Sequence, residues 1–280
     1  MRKIFILLFG LIIVGFTGQE AVVAQEPDFR LRLHQLDNDY TQEDIEVEIE
    51  FGRNLAARIL STYKLLDNKG LQNYITLLGN GIATQVGRPE LQYYFAVIDT
   101  DDINAYACPG GYIFFTKGAI KVMENEAQLA GVIAHEIWHV NFRHVVKPLK
   151  IRAKGDSLTS GIAAAIGSGT ATARVLFNQL TEKAYQLLFE EGISREAELA
   201  TDTAAVESLV TLGYDWSSYR DYLRAIESKP ENKYRKVLSK THPSITLRVE
   251  SINNLAQSLN ISDELGKKNA NRYKSNTGSL

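Results

Sequence analysis

The segment His135-Glu136-Ile137-Trp138-His139, set inside Leu129-Ala130-Gly131-Val132-Ile133-Ala134 and Val140, decides how the rest of the chain is read. Histidines four apart stack on one face of a helix and can grip one zinc ion, and the glutamate between them fits a general base. The apolar residues on both sides predict that this helix is buried. A catalytic zinc takes three protein ligands and keeps a fourth position for water, so His135 and His139 need a partner from elsewhere. Candidates are Glu190, Glu191, Glu196 and Glu198, in the acidic stretch downstream. Glu198 is preferred because Asp202 lies one turn on, where its carboxylate can accept the outer ring N–H of a liganding histidine. Ala200, Ala204, Ala205, Leu209 and Val210 make that second helix well buried, which makes idle carboxylates costly.

Outward from these two helices, the chain reads as mostly α with a small β-sheet, an α+β fold. Ile45, Val47, Ile49, Leu55, Ala56, Ile59 and Leu60 recur at helical spacing after a Thr41-x-x-Asp44 start, and Leu71 to Val86 repeats the pattern. Leu91 to Val97 and Tyr112 to Phe115 read as strands, with Pro109-Gly110-Gly111 between them. Further helices are predicted over 181–188, 195–212, 217–226 and 245–259. The Gly/Ala/Ser/Thr stretch 158–173 fits a small-residue helix, a loop or a membrane-surface contact. No repeat of fixed period appears. Residues 261–280, rich in Lys, Asn and Ser, read as a disordered tail.

The 280 residues are 45% hydrophobic with a formal net charge of -2, enough apolar content for one sizeable core. The basic residues are scattered and not interleaved with aromatics, so nucleic acid is not an expected partner. Arg2-Lys3, the thirteen-residue run Ile4 to Phe16 and the small residue Ala24 predict a secretory signal over 1–24, the run being shorter than the roughly 20 residues a membrane span needs. The expected organisation is a signal over 1–24, a metallopeptidase domain over 25–260 and the tail, in a protein that is exported and then soluble or membrane-peripheral. No cysteine near the cleavage point offers a lipid anchor. Cys108 is the only cysteine, so no internal disulfide is available, and its neighbours give it no activating base.

At this point the chain resembles the gluzincin zinc endopeptidases of the CAAX prenyl protease and HtpX family, most nearly the soluble periplasmic branch that includes the β-barrel assembly-enhancing protease. The resemblance covers about residues 43–255. It rests on Asp102-Ile103-Asn104-Ala105 with Gly110-Gly111, on His135-Glu136-x-x-His139 followed by Arg143-His144, on Ser194-Arg195-x-x-Glu198-x-x-x-Asp202, and on Thr241-His242-Pro243 with Arg248. It implies a zincin-like core, one Zn2+ held by His135, His139 and Glu198, Asp202 as the partner of a ligand, and His242 as a latency switch. His242 can equally cap a helix before Pro243. Arg248 either steadies a developing oxyanion or pairs with a carboxylate. Glu136 would take a proton from water and return it to the leaving amine. Polypeptide substrate would lie extended along an exposed strand near Gly110, Gly111 and Tyr112, although Gly110-Gly111 also fits an ordinary turn. The implied role is envelope quality control, with peripheral contact to the membrane or to outer-membrane assembly machinery as a further expectation. A chaperone or scaffold with a structural zinc closed by His242 is the competing class. Trp138 departs from the small residue usual in relatives and is expected to narrow or reshape the neighbouring cleft. His144, nine residues from His135 and five from His139, is expected to be exposed and without a role at the metal.

Overall fold

A computed structural model describes residues 40–153, 171–228, 242–278 and 280. The signal expected over 1–24 and most of the Gly/Ala stretch lie outside them. Helix α1 (Gln42–Thr62) starts at a capping box in which the Asp44 backbone N–H donates to the Thr41 hydroxyl, while Asp44 accepts from the Thr41 backbone. Its face of Val47, Phe51, Leu55, Ala56 and Ile59 is buried. Helix α2 (Lys69–Val86) follows, and then three short strands: β1 (Tyr94–Ile98), β2 (Ala105–Cys108) and β3 (Tyr112–Thr116). The sheet order is β1-β3-β2, with β3 central, parallel to β1 and antiparallel to β2.

After the short α3 (Lys117–Val122) comes the histidine helix α4 (Glu126–Asn141), capped by Asn125 and buried along its whole length. Helix α5 (Ala171–Gln186) runs into a wide turn at Leu187–Glu191, and α6 (Arg195–Thr211), α7 (Ser217–Ser228), α8 (Ile245–Ser258) and α9 (Ala270–Thr277) complete the order. One apolar cluster joins α2, α4, α6 and α7 to one face of the sheet; a second joins α1, the turn after α4 and α5 to the other. Helix α4 lies between them. Among the described residues, no helix is long and apolar enough to cross a membrane.

The predicted helices agree with the observed ones to within a few residues, except that the one expected to begin at Thr181 extends back to Ala171. Two sequence expectations fail. Only two strands were expected, whereas Ala105–Cys108 forms a third, and Pro109–Gly111 joins it to β3. Residues expected to be a disordered tail form α9, because its one aromatic side chain, Tyr273, is buried and donates to the Ile120 carbonyl at 2.6 Å. Arg272 and Asn269 also supply donors to Glu126, a carboxylate at the start of α4 that would otherwise be buried and undercompensated. Composition alone does not register one ring and one ion pair.

Candidate metal centre

Helical spacing on α4 carries His135 and His139 to the same face, with their Nε2 atoms 2.9 Å apart. Helix α6, capped by Ser194, packs across α4 and brings Glu198 in from the other side. Its Oε1 stands 3.3 Å from His139 Nε2 and its Oε2 3.6 Å from His135 Nε2. Both Glu198 oxygens are fully buried, yet neither accepts a hydrogen bond of good geometry. A buried carboxylate in that state is costly unless something else satisfies it. Converging imidazole nitrogens and an orphaned carboxylate are the donor set a borderline-soft divalent cation takes. The residues therefore fit a metal site. His242, just before the Ser244 cap of α8, adds its Nε2 at 3.7 Å from Glu198 Oε2, and ligand atoms of His135, Glu198 and His242 all lie within 4.8 Å of one another.

The far side of His135 is held as firmly as the near side. Its Nδ1 is 3.0 Å from Asp202 Oδ1 and 3.1 Å from the Tyr219 hydroxyl of α7. Arg248 of α8 grips Asp202 twice, Nε to Oδ2 at 2.8 Å and Nη2 to Oδ1 at 2.7 Å, and donates to the Tyr219 oxygen as well. Of the two roles open to Arg248, the geometry selects carboxylate pairing. Burial pushes the Asp202 carboxyl up, but the Arg248 guanidinium and the bonds from Arg248 and His135 hold it well below the usual range. Glu198 is likewise held low, burial being outweighed by the imidazoles of His242 and His139. Glu136 goes the other way: burial raises its pKa, against the pull of His139 and His135.

Two cavities meet at the site. One is lined by Ala105, Tyr106 and Ala107 of β2 with Glu136, His139 and His144, the other by Ile103, Val132, Tyr222 and Leu223 with Glu136, and His242 borders both. Three expectations are corrected here. Gly110 and Gly111 are buried turn residues with φ of 70° and 90°; a Cβ on Gly110 would lie 2.8 Å from Ile49 Cα and one on Gly111 2.6 Å from the Gln92 carbonyl oxygen. Tyr112 sits on the central strand, paired with Tyr94 and Cys108. None of the three offers an edge to a peptide, and the outer edge of β2 is the one facing the cleft. Trp138 does not narrow that cleft: it is fully buried, with Nε1 donating to Ser208 Oγ at 2.9 Å. His144 is half-buried rather than exposed, with its Nδ1 2.8 Å from His139 Nδ1. Cys108 is fully buried and burial raises its thiol pKa, so it stays a thiol.

Tyr219 and His144 were missed by sequence reasoning. Gly131, one turn before His135, carried half of the Tyr219 signal, since a Cβ there would lie 2.7 Å from the Tyr219 side chain. A glycine in a buried helix marks a close approach without naming what approaches.

Two histidines one turn apart on a buried helix, a carboxylate from a second helix and a small sheet beside them define a zincin-like α+β fold. The chain belongs to peptidase family M48, whose family model matches residues 70–256. It is similar to the β-barrel assembly-enhancing protease of Escherichia coli, at 24% identity over 219 residues, 76% of this chain and 44% of that protein. The protein of the same name from Yersinia pestis is 25% identical over 223 residues, 77% of this chain and 45% of that protein. The chain thus spans less than half the length of the curated relatives it matches.

Proposed function

We propose that this chain is a zinc-dependent endopeptidase that hydrolyses unfolded or misassembled polypeptides of the cell envelope. The observation that carries the reading is the pair of orphaned Glu198 oxygens facing two imidazole nitrogens, with Glu136 beside them in the cleft. His135, His139 and Glu198 would hold the ion. Zinc there would supply Lewis-acid polarisation of a peptide carbonyl and acidify water. The chain's own residues account for the rest. Glu136, with its pKa raised by burial, accepts a proton from water and delivers it to the leaving amine. Asp202, Tyr219 and Arg248 keep the His135 Nδ1 proton turned away from the cleft, which aims Nε2 inward. The outer edge of β2 offers backbone groups for an extended peptide, a mode of recognition led by main chain that suits unfolded substrates.

His242 borders both cavities, and burial lowers its pKa to about 4, so it is a neutral lone-pair donor able to close the open position and hold the enzyme latent. The names of the relatives support an envelope role with outer-membrane assembly as its setting, and the predicted signal over 1–24 supports export to the periplasm. The same four donors also favour a second reading, a chaperone or scaffold whose zinc is permanently closed by His242. Metal content and casein cleavage by wild type, Glu136→Gln and His242→Ala separate the two. The peptidase reading expects one zinc per chain, cleavage that rises in His242→Ala, and none in Glu136→Gln. Stoichiometric zinc with an inert wild type and an inert His242→Ala would leave the structural role standing.

A further inference from the structure

We propose that His144 is a positioning residue for His139, accepting the His139 Nδ1–H on its own Nδ1 lone pair and so fixing the tautomer that leaves His139 Nε2 free for a cation. The inference rests on the reading of His135, His139 and Glu198 as metal ligands. It begins with how α4 ends. The Arg143 backbone N–H donates to the Val140 carbonyl at 3.0 Å and the His144 N–H to the His139 carbonyl at 3.1 Å, with Arg143 left-handed at φ 56°. That pair of bonds is a Schellman closure, in which the residue after the left-handed one folds back over the residue five before it. Apolar side chains usually make that contact. Here the two residues are His144 and His139, and their rings meet edge to face with centroids 4.9 Å apart.

The position of Arg143 is usually glycine, and an arginine there costs about 1 kcal/mol or more. Its side chain explains how the turn is kept. Arg143 Nε donates to Glu48 of α1 at 3.2 Å, and Glu48 is also held by both terminal nitrogens of Arg88, at 2.7 and 3.0 Å. The Arg143 guanidinium lies 4.0 Å above the Tyr40 ring. All three charged side chains are at most 5% exposed. A buried network from two other segments therefore over-determines a strained residue whose immediate neighbour is the one that touches His139.

Only one proton arrangement suits a 2.8 Å contact between two ring nitrogens: one donates and the other accepts. If His139 presents a lone pair at Nε2, its proton is on Nδ1, and the His144 Nδ1 must be bare. The two ligands are thus backed unequally, His135 by an anionic carboxylate and His139 by a neutral imidazole.

The test measures zinc dissociation constants by chelator competition for wild type, His144→Leu and His144→Gln, together with thermal unfolding of the metal-free proteins. Partners of this kind change metal affinity by about 10–100-fold, so His144→Leu should weaken zinc by that factor while His144→Gln, which keeps an acceptor, recovers most of it. Unchanged unfolding of the metal-free forms excludes a merely structural role. Zinc affinity that is the same in His144→Leu as in wild type overturns the inference, as does a glutamine variant no better than leucine. Long-range proton–nitrogen spectra of the wild-type zinc protein decide the matter without any variant: a proton found on His144 Nδ1 refutes it. Wild type that binds no zinc would instead sink the metal-site reading itself.

Discussion

Removing Arg248 tests whether the support behind His135 is a tight electrostatic unit or incidental packing. The side chains of Arg248 and Asp202 are 4% and 0% exposed and share two bonds of 2.7 and 2.8 Å. Arg248→Met keeps most of the volume and leaves Asp202 with only Tyr219 and His135. Breaking a buried pair from one side costs about 3–5 kcal/mol, because a desolvated charge stays behind. At about 2–4 °C per kcal/mol for a domain of this size, the melting temperature should fall by roughly 6–20 °C. Asp202→Asn should cost a comparable amount for the mirror reason. The double variant holds no charge, and its asparagine still accepts from Tyr219 or His135.

The double-variant loss should therefore fall short of the summed single losses by about 2–3 kcal/mol, at the upper end for residues in one network. Unfolding is followed by circular dichroism with excess chelator, so that bound metal does not shift the midpoint by mass action. If Arg248→Met melts within 2 °C of wild type, or if the two losses simply add, Arg248 and Asp202 are not the unit the geometry describes.

Three further outcomes follow from other positions. Gly52→Ala puts a Cβ 1.8 Å from the Pro109 carbonyl oxygen, a backbone atom that cannot rotate away, so denaturant titration should reveal a loss of about 3 kcal/mol despite the roughly 1 kcal/mol that alanine gains in a helix. Trp138→Phe should cost about 1–2 kcal/mol through a small void and the lost bond to Ser208, yet leave the pattern of cleaved peptides unchanged, because the indole never reaches the cleft. Glu126 has its pKa lowered, burial being outweighed by bonds from Arg272, Tyr214, Tyr74 and Asn269. Its contribution is therefore full above the unfolded value of about 4.3 and fades as pH drops through the lower folded value. The stability gap between wild type and Glu126→Gln should be about 2 kcal/mol at pH 7 and should narrow below pH 4; a gap that widens on acidification refutes the assignment.

What the sequence revealed and what it hid divide along one physical line. His135, His139, Glu198 and Asp202 were readable because each pair obeys a local period: residues four apart on a helix share a face whatever the tertiary fold does. The start of α1 was readable for the same reason, since a capping box closes over four residues. Tyr219 reaches His135 across 84 positions, and Arg248 reaches Asp202 across 46; no local rule reports such distances. The outer edge of β2 was missed because strand order is a property of the assembled sheet, and the glycines beside it suggested an open edge where α1 and the residues just before β1 in fact crowd in. His144 is the instructive failure. Counting it at helical spacing put it off the face of His135 and His139, but the helix has already ended at Asn141, and the Schellman turn reverses the count. That turn was hidden because its left-handed residue is an arginine instead of the usual glycine, and what makes an arginine tolerable there is Glu48, 95 residues away. Local rules pair His135 with His139 and Glu198 with Asp202, because each pair shares one helix face. They miss Tyr219 and His144, whose contacts with the two imidazoles are set by other parts of the fold.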